Sequence, residues 1–210
     1  MSTLKDRIAL VTGASAGIGW ATAEHLAEAG AHVVVTARRT EKLATLVDAL
    51  RTKGHTAHAL PADVSDPAAI DALWAKTQDV AGGVPSIVVA NAGRGLQGGV
   101  LSSDESHWQQ MIQLNITGNL HLMRIVAEAM KEGNGPRDIV VLGSVVGVNI
   151  SPFSGAYGAT KFAIGSAAEA LRREVGPHGV RVTLIKPGIV ATEFQDVAGY
   201  DHENFGKVVE

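Results

Sequence analysis

The chain of 210 residues contains no cysteine, which excludes disulfides, thiolate metal sites and thiol nucleophiles. Aromatic residues make up only 4% of it, and its net charge of −3 offers no basic field for nucleic acid and no polybasic patch for a membrane. No apolar run approaches the roughly 18 residues of a transmembrane helix. No stretch of signal-peptide character precedes the first glycines. With cysteine absent as well, the expected location is the reducing cytoplasm. Neither an internal repeat nor a linker stands out, and the length suits one domain over residues 1–210.

What is present is an alternation of short β-branched runs with helical patterns. Strands are predicted at Ile8–Val11, His32–Thr36, Thr56–Leu60, Ile87–Ala90, Ile139–Leu142 and Val180–Ile185. Helices are predicted from the first glycines to Glu28, over Glu41–Lys53, Asp66–Val80 and Gly155–Val175, and over Glu105–Lys131, where a break is possible. Asp66 is the N-cap and Pro67 the first helical position of the third. Strands apolar on both faces imply a parallel sheet covered on both sides, a doubly wound Rossmann-type α/β/α sandwich. Ligands then bind beyond the carboxyl ends of the strands.

Thr12-Gly13-Ala14-Ser15-Ala16-Gly17-Ile18-Gly19 joins the first strand to the first helix. Gly13 permits a tight turn, Gly17 lets backbone approach a pyrophosphate, and Gly19 lets helix pack on strand. The loop residues Ser15, Ala16 and Ile18 lead into a helix N-terminus whose free N–H groups suit an anion. After the second strand, where a carboxylate would accept from the 2′-hydroxyl of NAD, the chain has Ala37, Arg38 and Arg39. Guanidinium groups suit a 2′-phosphate, so the expected cofactor is NADP(H), with Arg38 the preferred contact of the two.

Tyr157 and Lys161 lie four apart on a predicted helix and share a face. A free phenol titrates near 10, and a neighbouring ammonium is expected to lower that value toward use as a general acid/base. Alone, such a pair is more often a surface pair; beside a dinucleotide loop it is read as catalytic. Ser144 follows the fifth strand, where its hydroxyl can fix a substrate carbonyl. Asn115 sits mid-helix, disfavours the helix and needs a partner.

In this order the motifs resemble the short-chain dehydrogenase/reductase family: Thr12–Gly19, Asp63-Val64, Asn91-Ala92-Gly93, Asn115, Ser144, Tyr157-Gly158-Ala159-Thr160-Lys161 and Pro187-Gly188. The resemblance implies hydride transfer between nicotinamide and a carbonyl or alcohol, with Tyr157 as general acid/base. It also implies that Ser144 polarises substrate, that Lys161 holds the nicotinamide ribose, and that Asn115 supports a proton relay. Asp63 and Val64 would contact adenine, and Asn91, Ala92 and Gly93 would line the adenosine ribose. Pro187, Gly188, Ile189 and Thr192 would meet the nicotinamide end. Two departures are Ala16, where many NADP users carry a basic residue, and Ala90, where an asparagine is common. An NADP-holding redox sensor without turnover and a non-redox reaction on the same scaffold are the alternatives. Retention of the whole Asn–Ser–Tyr–Lys set and of the glycine loop speaks against both.

The alanine-rich face of the helix around Tyr157 (Ala156, Ala159, Ala163, Ala167, Ala170) predicts a homo-oligomer, as this helix implies in the family. His55 and His58 have no second ligand pair, so no metal is expected. Residues 189–210 form the expected substrate-loop region, with Phe194, Tyr200 and Phe205 able to close over a substrate. Arg94, just past the Asn-Ala-Gly turn, is read as a solvated charge. Family members usually continue with a helix and a seventh strand. Val180–Ile185 is therefore expected to be an exposed edge, covered by a further tail or another subunit.

Overall fold

A computed structural model describes residues 3–200. Six parallel strands form one sheet in the order β3-β2-β1-β4-β5-β6. They are β1 (Ile8–Thr12), β2 (His32–Thr36), β3 (Ala57–Ala59), β4 (Ile87–Ala90), β5 (Arg137–Leu142) and β6 (Val180–Ile185). Strand side chains alternate between two apolar layers, as the pleat requires. Leu10, Val34, Val88, Ile139 and Val141 pack on one face against Ile70, Leu73, Leu122, Val126 and Ile164. Ala9, Val11, Val33, Val35 and Val89 pack on the other against Ala23, Ala27, Leu43, Leu46 and Leu50. Each buried leucine in these layers contributes about 1.5–3 kcal/mol. This is the expected doubly wound sandwich.

Helices α1 (Gly17–Glu28) and α2 (Thr40–Thr52) cover the second of these faces; α3 (Pro67–Ala81), α5 (Asn119–Lys131) and α6 (Gly155–Val175) cover the first. Asp66 caps α3 as predicted, its carboxylate accepting from Ala68 N–H at 2.9 Å. The predicted helix over Glu105–Lys131 is broken. A 3₁₀ turn at Glu105–His107 leads to α4 (Trp108–Ile112), then a π-helical turn at Gln113–Gly118, then α5. Only β5 pairs with β6 among the described strands, and Arg181, Thr183 and Ile185 of β6 stay exposed. That is the expected open edge. The chain connects β1 to β2 on one side while β4 lies on the other, so the strand order reverses between β1 and β4. In such sheets the ligand crevice opens at that reversal, beyond the carboxyl ends. No helix among the described residues is long and apolar enough to cross a membrane.

Candidate active site

The first turns of α6 place Tyr157 and Lys161 beside the carboxyl end of β5. Both are only 7% exposed. Lys161 Nζ donates to the carbonyl of Leu142, the last residue of β5, at 2.8 Å, and lies 5.8 Å from the Tyr157 ring centroid. Ser144 stands two residues past β5, accepts from Val146 N–H at 3.3 Å, and hydrogen-bonds the Tyr157 phenol. Three of the four predicted catalytic residues thus meet at one end of the sheet.

Asn115 is 1% exposed and finds its required partners outside its own helix. Its Oδ1 accepts from Arg94 N–H at 2.9 Å, and its Nδ2 donates to Arg94 C=O at 2.9 Å and to Thr160 Oγ1 at 3.0 Å. Thr160 donates onward to the Tyr157 carbonyl at 2.8 Å. Asn119, one turn later, donates to the carbonyls of Ala92 at 3.1 Å and Leu114 at 3.0 Å. These side-chain bonds accompany the π-helical turn, which holds Asn115. A side chain on Gly93 would sit 3.3 Å from Asn115 Oδ1 and 3.5 Å from Lys161 Nζ, so both groups converge on that backbone. Sequence reading missed Thr160, Asn119 and the backbone of Arg94. The available signal was spacing: Thr160 falls between the paired residues, and Asn119 lies a turn from Asn115.

Burial pushes the Tyr157 phenol up to about 12, against a lowering hydrogen bond from Ser144 and with a further rise from Tyr200. Burial likewise pulls Lys161 down to about 8. The expected lowering of the tyrosine by lysine is therefore not met. The ammonium is itself disfavoured by desolvation and is directed at the Leu142 carbonyl. Tyr157 is accordingly protonated at neutral pH, the form that donates.

The glycine loop is held by Asn91, whose Nδ2 donates to the carbonyls of Thr12 at 2.8 Å and Gly13 at 3.2 Å. Thr12 Oγ1 in turn accepts from the N–H groups of Asn91 and Ala92, each at 3.0 Å. A Cβ on Gly13, whose φ is +66°, would lie 2.8 Å from Asn91 Nδ2; one on Gly19 would lie 2.5 Å from that atom and from the Gly13 carbonyl. Only glycine fits either place. Ala16 precedes α1 without a side-chain cap, and the first turn of α1 holds no acidic residue. The N–H groups of Gly17 and Ile18 thus open a helix terminus suited to an anion. Gly17 faces Thr192, whose Cγ2 would be 3.0 Å from an added Cβ.

Arg39 lies against the glycine loop. Its Nε and Nη2 donate to Ser15 Oγ at 3.1 Å and 3.0 Å, and its Nη1 reaches Glu193 at 2.7 Å. Arg38, the preferred contact from sequence, is instead 75% exposed and 3.9 Å from Asp63. Asp63 accepts from Ser65 N–H and Oγ, and Val64 beside it is buried. The Pro187 carbonyl accepts from Val145 N–H at 3.0 Å, binding the segment after β6 to the Ser144 turn. Gly188 faces open space, and Ile189 is exposed.

Beyond Ile189 the described chain folds back over the site and forms α7 (Phe194–Ala198). The Phe194 ring lies 5.7 Å from that of Tyr157, tilted against it. Tyr200 Oη pairs with Ser154 Oγ at 2.9 Å, and the Ala198 carbonyl accepts from Gln97 N–H at 2.9 Å. The expected covering role of this segment places Phe194 and Tyr200 here; Phe205 lies outside the described residues. Arg94, read as a solvated charge, bonds Gln110 through Nη1 at 2.7 Å, while its Nε is buried without a partner. His58 faces His32 at 5.0 Å between ring centroids, and no group of three His, Asp or Glu able to hold a metal occurs among the described residues.

The profile of the family described as short chain dehydrogenase matches residues 7–202. The chain belongs to that family. Over 193 residues this dehydrogenase is 35% identical to an uncharacterized oxidoreductase of Staphylococcus epidermidis, covering 91% of its own length and 81% of the relative's. Among solved structures it resembles a short chain dehydrogenase/reductase from Burkholderia phymatum in complex with NAD. That match has a TM-score of 0.88 and 32% identity over 94% of this chain and 70% of the other. It also resembles a short-chain dehydrogenase from Sphingobium yanoikuyae in complex with NADPH, with a TM-score of 0.85 and 33% identity over 93% and 75% of the two chains. Family membership makes the chain an oxidoreductase with a nucleotide-binding Rossmann sheet.

Proposed function

We propose that this dehydrogenase interconverts a carbonyl and an alcohol with NADP(H), using Tyr157 as general acid/base. The observation that carries the reading is the meeting of Tyr157, Lys161, Ser144 and Asn115 beside the glycine loop. Uncapped N–H groups at Gly17 and Ile18 suit the pyrophosphate, and Ser15, Arg38 and Arg39 suit a 2′-phosphate. Asp63 and Val64 would hold the adenine, and Asn91, Ala92 and Gly93 the adenosine ribose. Lys161 would hold the nicotinamide ribose, with Pro187, Gly188, Ile189 and Thr192 against the nicotinamide. The chemistry that cofactor supplies is the hydride added to, or taken from, the substrate carbon.

In the reducing direction Tyr157 gives its proton to the carbonyl oxygen, completing the alcohol. A phenol held near 12 keeps that proton until an oxyanion develops. Ser144 donates to the same oxygen and orients it. Lys161, held near 8, can be charged or neutral around neutral pH and so can restore the proton to Tyr157. Asn115 positions Lys161 and Tyr157 through Gly93 and Thr160 rather than touching substrate.

The substrate class follows from the mouth of the site. The five most exposed large apolar side chains among the described residues are Leu101, Ile150, Phe153, Val100 and Val197. All lie on the segments that follow β4, β5 and β6. Gly98 ties two of these together, donating to the Phe153 carbonyl at 2.9 Å and accepting from Gly155 N–H at 3.1 Å. Residues 95–103 and 144–154 carry no charge. An uncharged ketone or aldehyde with an apolar body suits this rim.

A groove of about 430 Å³ between α5 and α6, lined in part by exposed Leu120 and by Ala127, Ala167, Ala170 and Leu171, supports assembly into a homo-oligomer through that face. The test of the function is oxidation of NADPH and NADH with a carbonyl panel. Turnover with neither cofactor would contradict it.

A further inference from the structure

The guanidinium of Arg39 is bound to the glycine loop through Ser15, yet it is not waiting for a ligand. Its inner edge holds Ser15, and its outer nitrogen, Nη1, holds the carboxylate of Glu193 at 2.7 Å. Lys42, in the first turn of α2, faces the same carboxylate at 3.9 Å. A guanidinium and an ammonium therefore face one anion, and such a pair of cations suits a phosphate monoester. The anion they face belongs to the protein and arrives from 154 residues further along the chain.

Glu193 does not come as a loose side chain. Phe194 N–H donates to Thr192 Oγ1 at 3.2 Å, and Gln195 Oε1 accepts from Thr192 N–H at 3.1 Å. Gln195 Nε2 reaches back to the Val190 carbonyl. These bonds make residues 190–195 a short braced unit. It carries Glu193 to Arg39, and in the next residue carries Phe194 onto the ring of Tyr157. The contact at the edge of the nucleotide loop and the cover over the catalytic tyrosine are thus one piece.

We infer that Glu193 is a specificity-determining residue for the ribose 2′-substituent. Its carboxylate competes with a 2′-phosphate for Arg39, and displacing it releases the segment that covers Tyr157. The inference rests on the NADP(H) reading above. A ribose 2′-hydroxyl carries no charge to compete with Glu193, so the penalty falls on the phosphorylated nucleotide alone. A phosphate near −2 facing an uncompensated carboxylate loses the more affinity.

The probes are 2′,5′-ADP and 5′-ADP, titrated calorimetrically into the wild type, Glu193→Gln, Glu193→Ala and Arg39→Ala. Glu193→Gln keeps the size and removes the charge. It should tighten 2′,5′-ADP by roughly five- to tenfold while leaving 5′-ADP within about twofold. Glu193→Ala should do the same, which separates the charge from the shape. Hydrogen exchange supplies a second readout. Amides of residues 190–199 should exchange faster when 2′,5′-ADP binds the wild type, and should already be fast in Glu193→Gln.

An unchanged ratio of the two affinities in both Glu193 variants, with Arg39→Ala still abolishing the preference for 2′,5′-ADP, would overturn the role of Glu193 and leave the NADP(H) reading intact. Equal binding of the two nucleotides by every variant would overturn the NADP(H) reading and this inference with it. Slower exchange at 190–199 on binding 2′,5′-ADP would overturn the release.

Discussion

Lys161 Nζ donates to the Leu142 carbonyl at 2.8 Å, so the cation of the catalytic pair is anchored to the end of β5 rather than to the phenol of Tyr157. That anchor holds a charge in a place that disfavours charge. Lowering a lysine from 10.5 to about 8 corresponds to roughly 3 kcal/mol at about 1.36 kcal/mol per tenfold. One hydrogen bond from the charged ammonium to a carbonyl returns about 1.5–3 kcal/mol, at most offsetting that cost. Function, not stability, accounts for the residue.

Lys161→Met should therefore remove most activity without lowering the melting temperature of the free protein. The pH dependence has a definite sign. Between about 8 and 10.5 the unfolded chain binds more protons at this lysine than the folded one, so the wild type gains stability as pH rises through that window. Below about 8 the full cost of the buried charge remains. The difference in unfolding free energy between wild type and Lys161→Met should rise over that window in favour of the wild type. A flat difference would contradict the burial of the charge.

Asn115→Ala removes three hydrogen bonds and strands Arg94 N–H and C=O in a partly buried place. The expected loss is about 2–4 kcal/mol in urea unfolding, together with reduced kcat. Thr160→Val deletes only the link between Asn115 and Tyr157, and should cost about 1 kcal/mol.

The two arginines after β2 should separate in kinetics. Arg39→Ala should raise KM for NADPH more than Arg38→Ala does, because Arg39 is seated on Ser15 while Arg38 is three-quarters exposed. Neither change should alter KM for NADH to a similar degree. A larger effect from Arg38 would restore the order expected from sequence.

Phe153→Ser and Ile150→Ser should reduce kcat/KM for ketones with long alkyl or aryl groups by about tenfold, roughly the worth of 1–2 kcal/mol of apolar contact. Small ketones should be unaffected by either change. Equal losses across a chain-length series would mean that the rim does not hold substrate.

Much of this was legible in the residues. The bounds of β2, β4, β6 and α6 and the Asp66 cap follow from local signals: β-branched runs, a Pro at the first turn, a periodic apolar face. The meeting of Ser144, Tyr157 and Lys161 followed once those elements were placed at one end of the sheet. The π-helical turn was not legible, because it reflects Asn115 and Asn119 bonding Arg94 and Ala92 across the fold. The upward displacement of Tyr157 was also hidden: spacing shows that a lysine is near but not that both groups are dry. Glu193 could not have been matched to Arg39 from sequence, since only the fold of residues 190–195 brings them together.

The central claim is that Tyr157 moves the proton. Single-turnover reduction of an apolar ketone by NADPH should be slowed about a thousandfold or more in Tyr157→Phe, while NADPH affinity stays within about threefold of wild type. Turnover by Tyr157→Phe at the wild-type rate would contradict the account.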